Sequence, residues 1–344
     1  MKRKVVRAPK EAREKKNWGK VPETLNSNPI IHAILHRREL IVLVLLIVIV
    51  VYLQAASGGK FLNAGNLLTM VDRKSYECLV TIGITYLLIT KNFDLSVASV
   101  MAFSGMSTAY LMVNGSSIPV AIMGGLITGT LVGALNGVLV AKLRVASFIA
   151  TLGTMYIARS GAQVLSQGSP IGSLPQEFID MGKVQWLGMP WYFWILIVAV
   201  VATQFLLKKH KLFSSIFYIG NNEKASDMVG IASQRITFAM FVISGFIAAF
   251  AGIIGVMKSY SASPIAFEGM EMRYIAACVV GGASIGGGQG TIVGSVLGFL
   301  LIVLIGNAMT LMGITTYWEG VIFGGILAIA AIADAYSMKR KRTG

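Results

Sequence analysis

The chain has 344 residues, 55% hydrophobic and only 13% charged, with a net charge of +15 and a mean hydropathy of +0.71. A soluble domain carries about 25% charged residues, so the composition excludes an ordinary soluble enzyme or binding module and points to a polytopic membrane protein. The basic excess does not point to nucleic acid: eleven Lys or Arg fall in the first forty residues and four in the closing "KRKR" of Lys339 to Arg342, both flanking apolar runs, which marks cytoplasmic retention.

In chain order, residues 1–39 form a basic segment, 40–338 a membrane domain and 339–344 a basic tail. The first apolar run, "LIVLVLLIVIVVYLQAASGG", has small residues Ala55 and Ser57 that would suit a cleavage site. The forty residues before it contain acids and are too long for a signal n-region, so it reads as a retained span. About ten helical spans are expected, at 40–56, 75–90, 95–113, 119–141, 147–165, 191–207, 237–257, 272–285, 289–312 and 317–337. This is an all-α fold. The second, third and eighth are short and broken by Gly or polar residues, as segments that line a cavity or lie under protein are. With the N-terminus inside, the inner segments hold 23 Lys or Arg and the outer loops six, while Arg159 lies within the fifth span. That bias follows the positive-inside rule and puts both termini in the cytoplasm.

Small residues recur every four positions. Gly125, Gly129, Gly133 and Gly137 share one face of the fourth span, and Gly282, Gly286, Gly290, Gly294 and Gly298 repeat the spacing across the eighth and ninth. Such stripes let helix backbones approach closely in lipid; a glycine-lined permeation path is the other reading. "GTLVGALNGVLV" (129–140) and "GTIVGSVLGFLL" (290–301) agree at six of twelve positions. Five spans separate them, so the two copies would run in opposite directions, as in the inverted repeats of transporters.

Catalytic chemistry is not visible. No GxxxxGK[ST] occurs, and the run "GGASIGGGQGT" has no lysine to hold a nucleotide's phosphates. His32, His36 and His210 lie outside the spans without metal-ligand spacing, and Cys78 and Cys278 sit in apolar runs as packing residues. Glu77 and Glu319 fall near span ends and Asp334 near the inner exit. Only Arg159 is deep: it is the one candidate for the mid-membrane group such a carrier needs, and packing against carbonyls or snorkelling to a surface is the other reading. This scarcity speaks against a carrier driven by protons or sodium.

Two polar stretches stand out. In "KNFDLSVAS" (91–99), Asp94 suits an N-cap, accepting from the backbone N–H of Ser96 or Val97; a role at a cytoplasmic gate, with Leu95 and Ser96, is the alternative. In "FYIGNNEKASDMVGI" (217–231), Asn221 or Asn222 can cap a short helix and Gly230 can end it. Ala225, Met228 and Val229 then share a face. That face suits either a groove on another protein or the bilayer surface.

"IGNNEKASDMVGI" resembles the cytoplasmic coupling loop of bacterial ABC sugar-importer permeases of the ribose, arabinose, galactose and xylose type. "KNFDLSVASVMAFSG", "VASFIATLGTMYIARS", "AACVVGGASIGGGQGTIVGSVLG" and "NAMTLMGITTYWEGVIFGGILAIAA" resemble further blocks of that family, in its order, from the first span to the C-terminus. The resemblance implies a permease of about ten helices in an architecture like that of the vitamin B12 importer permease, embedded in the bacterial inner membrane. It implies a second permease copy in a homodimer, partner ATPase subunits that bind ATP and Mg, a periplasmic sugar-binding protein and surrounding membrane lipid. This chain itself would bind no cofactor, and nucleic acid is not among its partners. Gly220, Asn221, Asn222, Glu223, Ala225 and Gly230 would form the loop on the ATPase, with 220–231 as the coupling helix. Asp94, Leu95 and Ser96 match the inner start of the third span, and the Gly281–Gly290 run the turn between the eighth and ninth. The family often has Gly-Gly-Asn where this chain has Gly220-Asn221-Asn222, and Gly where it has Ala98. The basic N-terminus is longer than the family's. The competing function, from a different class, is an ATP-independent carrier or facilitator of a small polar solute.

Overall fold

In lipid a chain cannot leave backbone N–H and C=O groups unpaired, so apolar runs of this length fold as helices. A computed structural model describes residues 38–315 and 317–343; the basic segment ahead of them, with His32 and His36, lies outside the described residues. The helices are α1 (Arg38–Ala56), α2 (Ala64–Ile89), α3 (Val97–Val113), α4 (Ile118–Gly137, continued by a π-helical turn, Val138–Lys142), α5 (Ser147–Ser166), α6 (Gln176–Met181), α7 (Trp191–Lys209), α8 (Lys211–Asn221), α9 (Glu223–Met228), α10 (Ser233–Ser259), α11 (Met270–Val280), α12 (Ile292–Leu311) and α13 (Tyr317–Thr343). A helix lies at each of the ten expected segments. Four of them, α4 with its π turn, α7, α10 and α12, are long and apolar enough to cross a membrane by length and composition.

Two expectations need correction. First, α2 begins at Ala64 rather than near 75. Asn63 caps it, its side chain accepting from Gly65 N at 2.9 Å, and the charges that hid its first turns are paired: Asp72 with Lys258 at 2.7 Å and Lys74 with Glu77 at 2.7 Å. Second, α11 stops at Val280, so Gly282, Gly286 and Gly290 lie in the connection to α12 and not on a helical stripe. Gly282, Gly287 and Gly288 have φ of +100°, +83° and +71°, which no right-handed helix accommodates. Only Gly294 and Gly298 of that set sit on α12. The expected all-α class is met by a mostly helical chain, with one short exception before α7. Gln185–Trp186 and Met189–Pro190 pair as an antiparallel hairpin, whose turn residues Leu187 and Gly188 both have positive φ, the geometry of a type I′ turn.

Helix α10 is the central element, packing on α4, α3 and α2. The contact with α4 is backbone on backbone. A Cβ added to Gly133 would stand 2.5 Å from Phe241 O and 3.0 Å from Gly245 Cα, and one on Gly129 would stand 2.6 Å from Ala249 Cβ. Gly125 faces Thr108 and the Ser104 carbonyl of α3, and Gly137 faces Phe238. Burying apolar side chains between helices gains little over leaving them in lipid, so close approach by glycine supplies the attraction. On the other flank α11 meets α12, where Gly281 and Gly294 each abut the other's carbonyl. Every residue of α2 from Ser75 to Ile89 is buried, so α2 is an internal strut joining the two ends of the body.

Candidate functional site

Helix α8 buries Ile216, Ile219 and Gly220. It stops because Asn222 turns extended, at φ −160° and ψ 98°, and its side-chain oxygen accepts from Ala225 N at 3.1 Å to start α9. Gly230 ends α9 at φ +83°. Ile231 N donates to Ser226 O and Gly230 N to Asp227 O, each at 3.0 Å, the paired bonds of a Schellman stop. Of the two candidate caps, Asn222 is the one used. The anchor of α9 is Ser226, buried and donating to Asn222 O at 2.9 Å. Its apolar residues point away from the body: Met228 is 87% exposed and Val229 77%, and Ala225 is exposed beside them.

The six loop residues divide into three groups. Gly220 and Asn221 are wedged against the connection between α11 and α12. A Cβ on Gly220 would collide with Ile89 O and lie 2.5 Å from Gly288 N. Gly288 N in turn donates to Ile89 O at 2.8 Å, and Gly288 holds φ +71° with the Asn221 amide beside it, a conformation that favours glycine. Asn222 and Gly230 shape α9, and Ala225 lies on its exposed side. Glu223 reaches to the loop after α4 and pairs with Arg144 at 3.1 Å. Three stretches far apart in sequence, 89–94, 142–147 and 281–291, thus meet the α8–α9 corner. The family resemblance marked the Gly281–Gly290 run as a turn, but nothing local joined it or Arg144 to this corner beyond their assignment to the same side of the membrane.

Directly inward lies a buried polar network centred on Asp94. Its Oδ1 accepts from Ser96 N at 2.9 Å and from Ser96 Oγ at 2.6 Å, and its Oδ2 from Ser244 Oγ of α10 at 3.3 Å. Asn136 of α4 donates to Ser96 Oγ at 2.8 Å and accepts from Thr154 Oγ1 of α5 at 2.6 Å. Leu95 N donates to Thr151 Oγ1 at 3.1 Å. Asp94 therefore does bond the backbone of Ser96, and it reaches α10 through Ser244, while Ser96 and Leu95 beside it carry the network on to α4 and α5. Asp94, Leu95 and Ser96 are all buried.

At the far end of the body Arg159 of α5 packs against carbonyls. Its Nη1 donates to Pro264 O at 2.9 Å and to Ala266 O at 2.7 Å. Two ion pairs also lie in this half of the body, Asp72 with Lys258 and Arg273 with Glu319 at 2.5 Å. Cys78 and Cys278 are free and buried. Among the described residues no cluster of three or more His, Cys, Asp or Glu could hold a metal ion.

This helical body, with its capped and outward-facing corner, is that of a transport permease. Residues 66–331 match the family described as the permease component of the branched-chain amino acid transport system. More narrowly, the chain belongs to the ribose- and arabinose-type permeases of ABC sugar importers. It is 34% identical to the L-arabinose transport system permease protein AraH of Escherichia coli (strain K12), covering 81% of this chain and 87% of that protein. It is 33% identical to the ribose import permease protein RbsC of Haemophilus influenzae, covering 82% and 88%, and 34% identical to that of Bacillus subtilis, covering 80% and 86%. No solved structure matches it. The family is one of transporter permeases and not of catalytic enzymes.

Proposed function

We propose that this chain is the subunit through which a monosaccharide or related small polyol crosses the bacterial inner membrane, delivered by a periplasmic binding protein and driven by ATP, bound with Mg, on partner ATPase subunits. Its ten membrane helices take the vitamin B12-permease-like arrangement, with an inverted repeat relating the α4 and α12 stretches and both termini in the cytoplasm. Two copies form the pathway, surrounded by lipid. The observation that carries the mechanism is the α8–α9 corner. An exposed apolar tip of Ala225, Met228 and Val229 is joined through Gly220 to the end of α2 and to the turn before α12. Pressure on the tip has no slack to take up at Gly220, so it reaches two long helices at once. Asp94, Leu95 and Ser96, just behind, form the cytoplasmic gate; the shared network makes the starts of α3 and α5 move with α10.

Reconstitution tests this. Vesicles holding this chain, its ATPase and its binding protein take up sugar only with ATP. Glu223→Lys abolishes assembly with the ATPase while the permease remains folded. Uptake by the chain alone, without ATP or partners, overturns the proposal in favour of a facilitator, and normal assembly of Glu223→Lys overturns the docking role of the corner.

A further inference from the structure

Helix α7 has 19 residues, of which only Tyr192, Leu196 and Leu207 are buried. At about 1.5 Å per residue it is roughly 28 Å long, close to the ~30 Å of hydrocarbon that a span must cross. Its two ends carry the groups that mark the two water boundaries of a bilayer. It opens on Trp191, Tyr192, Phe193 and Trp194. The indole N–H of Trp191 donates to Met181 O at 2.8 Å and that of Trp194 to Trp186 O at 2.9 Å. It closes on Lys208 and Lys209. Val198, Val201 and Phe205 are exposed, and Lys208 follows them at the same three- and four-residue spacing. The stripe that faces acyl chains therefore ends in an ammonium group at headgroup depth. At His210 the chain turns extended, at φ −93° and ψ 126°, and α8 begins with Lys211. Residues 208–211 are all exposed. Among the described residues no ion pair or hydrogen bond engages the ammonium group of any of the three lysines. Of the described acids at this end of the body, Asp94 is buried and bonded to Ser96 and Ser244, Glu223 holds Arg144, and Asp227 lies on α9. Ser214, Ser215 and Tyr218 share the face of Lys211, while Ile216, Ile219 and Gly220 are buried, the pattern of a helix at a membrane boundary.

We propose that the elbow between α7 and α8 binds an anionic phospholipid of the inner leaflet, its headgroup phosphate among Lys208, Lys209 and Lys211 and its acyl chains along Val198, Val201 and Phe205. Lysine stems lie along apolar surface while their ammonium groups reach the phosphates. Each lysine next to a span favours anionic lipid about fivefold. A zwitterionic headgroup carries an ammonium of its own, which the three lysines repel. The stripe fixes the source of the phosphate. A free phosphate would meet the charge but leave Val198, Val201 and Phe205 unused, and an acidic protein surface does not follow a stripe into the bilayer. The consequence lies in what hangs from the elbow. Helix α8 runs from it to Gly220. Gln204, one turn before Lys208, accepts from Ile292 N at 2.9 Å and so holds the start of α12. A headgroup held here steadies the point from which both reach the coupling corner. The site rests on the orientation proposed above, with the end of α7 in the cytoplasm.

The test is native mass spectrometry of the full chain in neutral detergent, titrated with phosphatidylglycerol or with phosphatidylcholine of the same acyl chains. Phosphatidylglycerol is retained preferentially. Lys208→Gln, Lys209→Gln and Lys211→Gln together weaken its tightest binding by about a hundredfold and leave the melting temperature unchanged, while the three changes to Arg keep the binding. Lys60→Gln, at an exposed position before α2, has no effect. Equal retention of the two lipids, or unchanged phosphatidylglycerol binding in the triple Gln variant, overturns the site. Competition by glycerol 3-phosphate as strong as by the lipid overturns its lipid character. Failure of the triple Gln variant to assemble with the ATPase, with lipid binding intact, overturns the site in favour of a protein contact. In vesicles holding the ATPase and binding protein, uptake rises with the phosphatidylglycerol fraction for wild type and stays flat for the triple Gln variant; a parallel rise in both overturns the link to coupling. Labelling of Lys209→Cys from the periplasmic side alone overturns the assignment to the inner leaflet. ATP-driven uptake by a chain with no lipid preference sinks the site alone, whereas selective lipid binding by a chain that transports without ATP sinks the transport proposal and leaves the site standing.

Discussion

Around Gly220 the chain is joined by backbone pressed on backbone, with Ile89 and Gly288 within contact of where its Cβ would stand and Gly220 O 2.8 Å from where one on Gly287 would. Around Asp72 and Glu319, at the opposite end of α2, it is joined by long charged side chains that reach across to Lys258 and Arg273. Both junctions hold helices of the same body, yet they tolerate displacement differently. Glycine contacts have no flexible atoms to absorb a shift, so neighbouring segments move together or clash. A Lys–Asp pair keeps its attraction over an ångström or more by turning its rotamers. The first end suits passing on a push and the second suits admitting and releasing something between helices.

The largest predicted effect breaks the rigid end. Gly220→Val puts a branched side chain where even a methyl group meets the Ile89 carbonyl and the Gly288 amide. Overpacking of this kind costs about 1–3 kcal/mol when neighbours can yield; here they are main chain, and the cost lies at or above the top of that range. Thermal unfolding of the purified permease should show the loss, and ATP-driven uptake should fall with it. A variant that unfolds normally and transports normally would mean the junction is looser than its geometry.

Next comes the network behind that junction. Asp94→Ala leaves Ser96 N, Ser96 Oγ and Ser244 Oγ without their acceptor in a buried place, at about 1–3 kcal/mol for each group left unpaired. Asp94→Asn keeps an acceptor oxygen and should cost clearly less. Measuring both separates hydrogen bonding from charge: equal damage in the two variants would assign the importance of Asp94 to its charge.

Much of the rigid end was legible because its signals are local. Asn222 and Gly230 sit at the spacing of a start and a stop, and the glycines of α4 repeat with the helical period. Its assembly was not. Gly220 meets Gly288, and Glu223 meets Arg144, across intervals that no local period spans. The same four-residue spacing misled at Gly282, Gly286 and Gly290, since glycine serves a helix contact and a left-handed turn equally well, and only the φ angles tell them apart. The early start of α2 was hidden by Asp72, Arg73 and Lys74, which read as a loop until the pairing of Asp72 with Lys258 of α10 and of Lys74 with Glu77 is known. Helix α8 follows α7 with His210 alone between them, so no turn residue announced it.

A middle-sized effect probes the far end. Arg159→Ala removes two bonds to the carbonyls of Pro264 and Ala266, each charge-assisted and worth about 1.5–3 kcal/mol locally. The segment between α10 and α11 should then exchange its amide hydrogens faster, while the α8–α9 corner is unaffected. Faster exchange at both ends would deny that the two junctions are independent.

The smallest effect lies in the exposed α6 region. Asp180 accepts from Lys183 Nζ and from Gln176 Nε2, both at 2.9 Å, and these bonds, that from Lys183 first, hold its carboxyl below the usual carboxylate range. A carboxyl depressed in the folded state stabilises above its unfolded value of about 3.9 and loses that contribution as pH falls through the folded value. Asp180→Asn should therefore lower the melting temperature slightly at neutral pH, with the difference from wild type closing as the pH drops below about 4. Both partners are open to water, so screening keeps the difference small and added salt should shrink it further. The Gly220→Val defect, being steric, should persist across the same pH and salt series. If the two variants responded alike to salt, the Gly220→Val defect would not be steric.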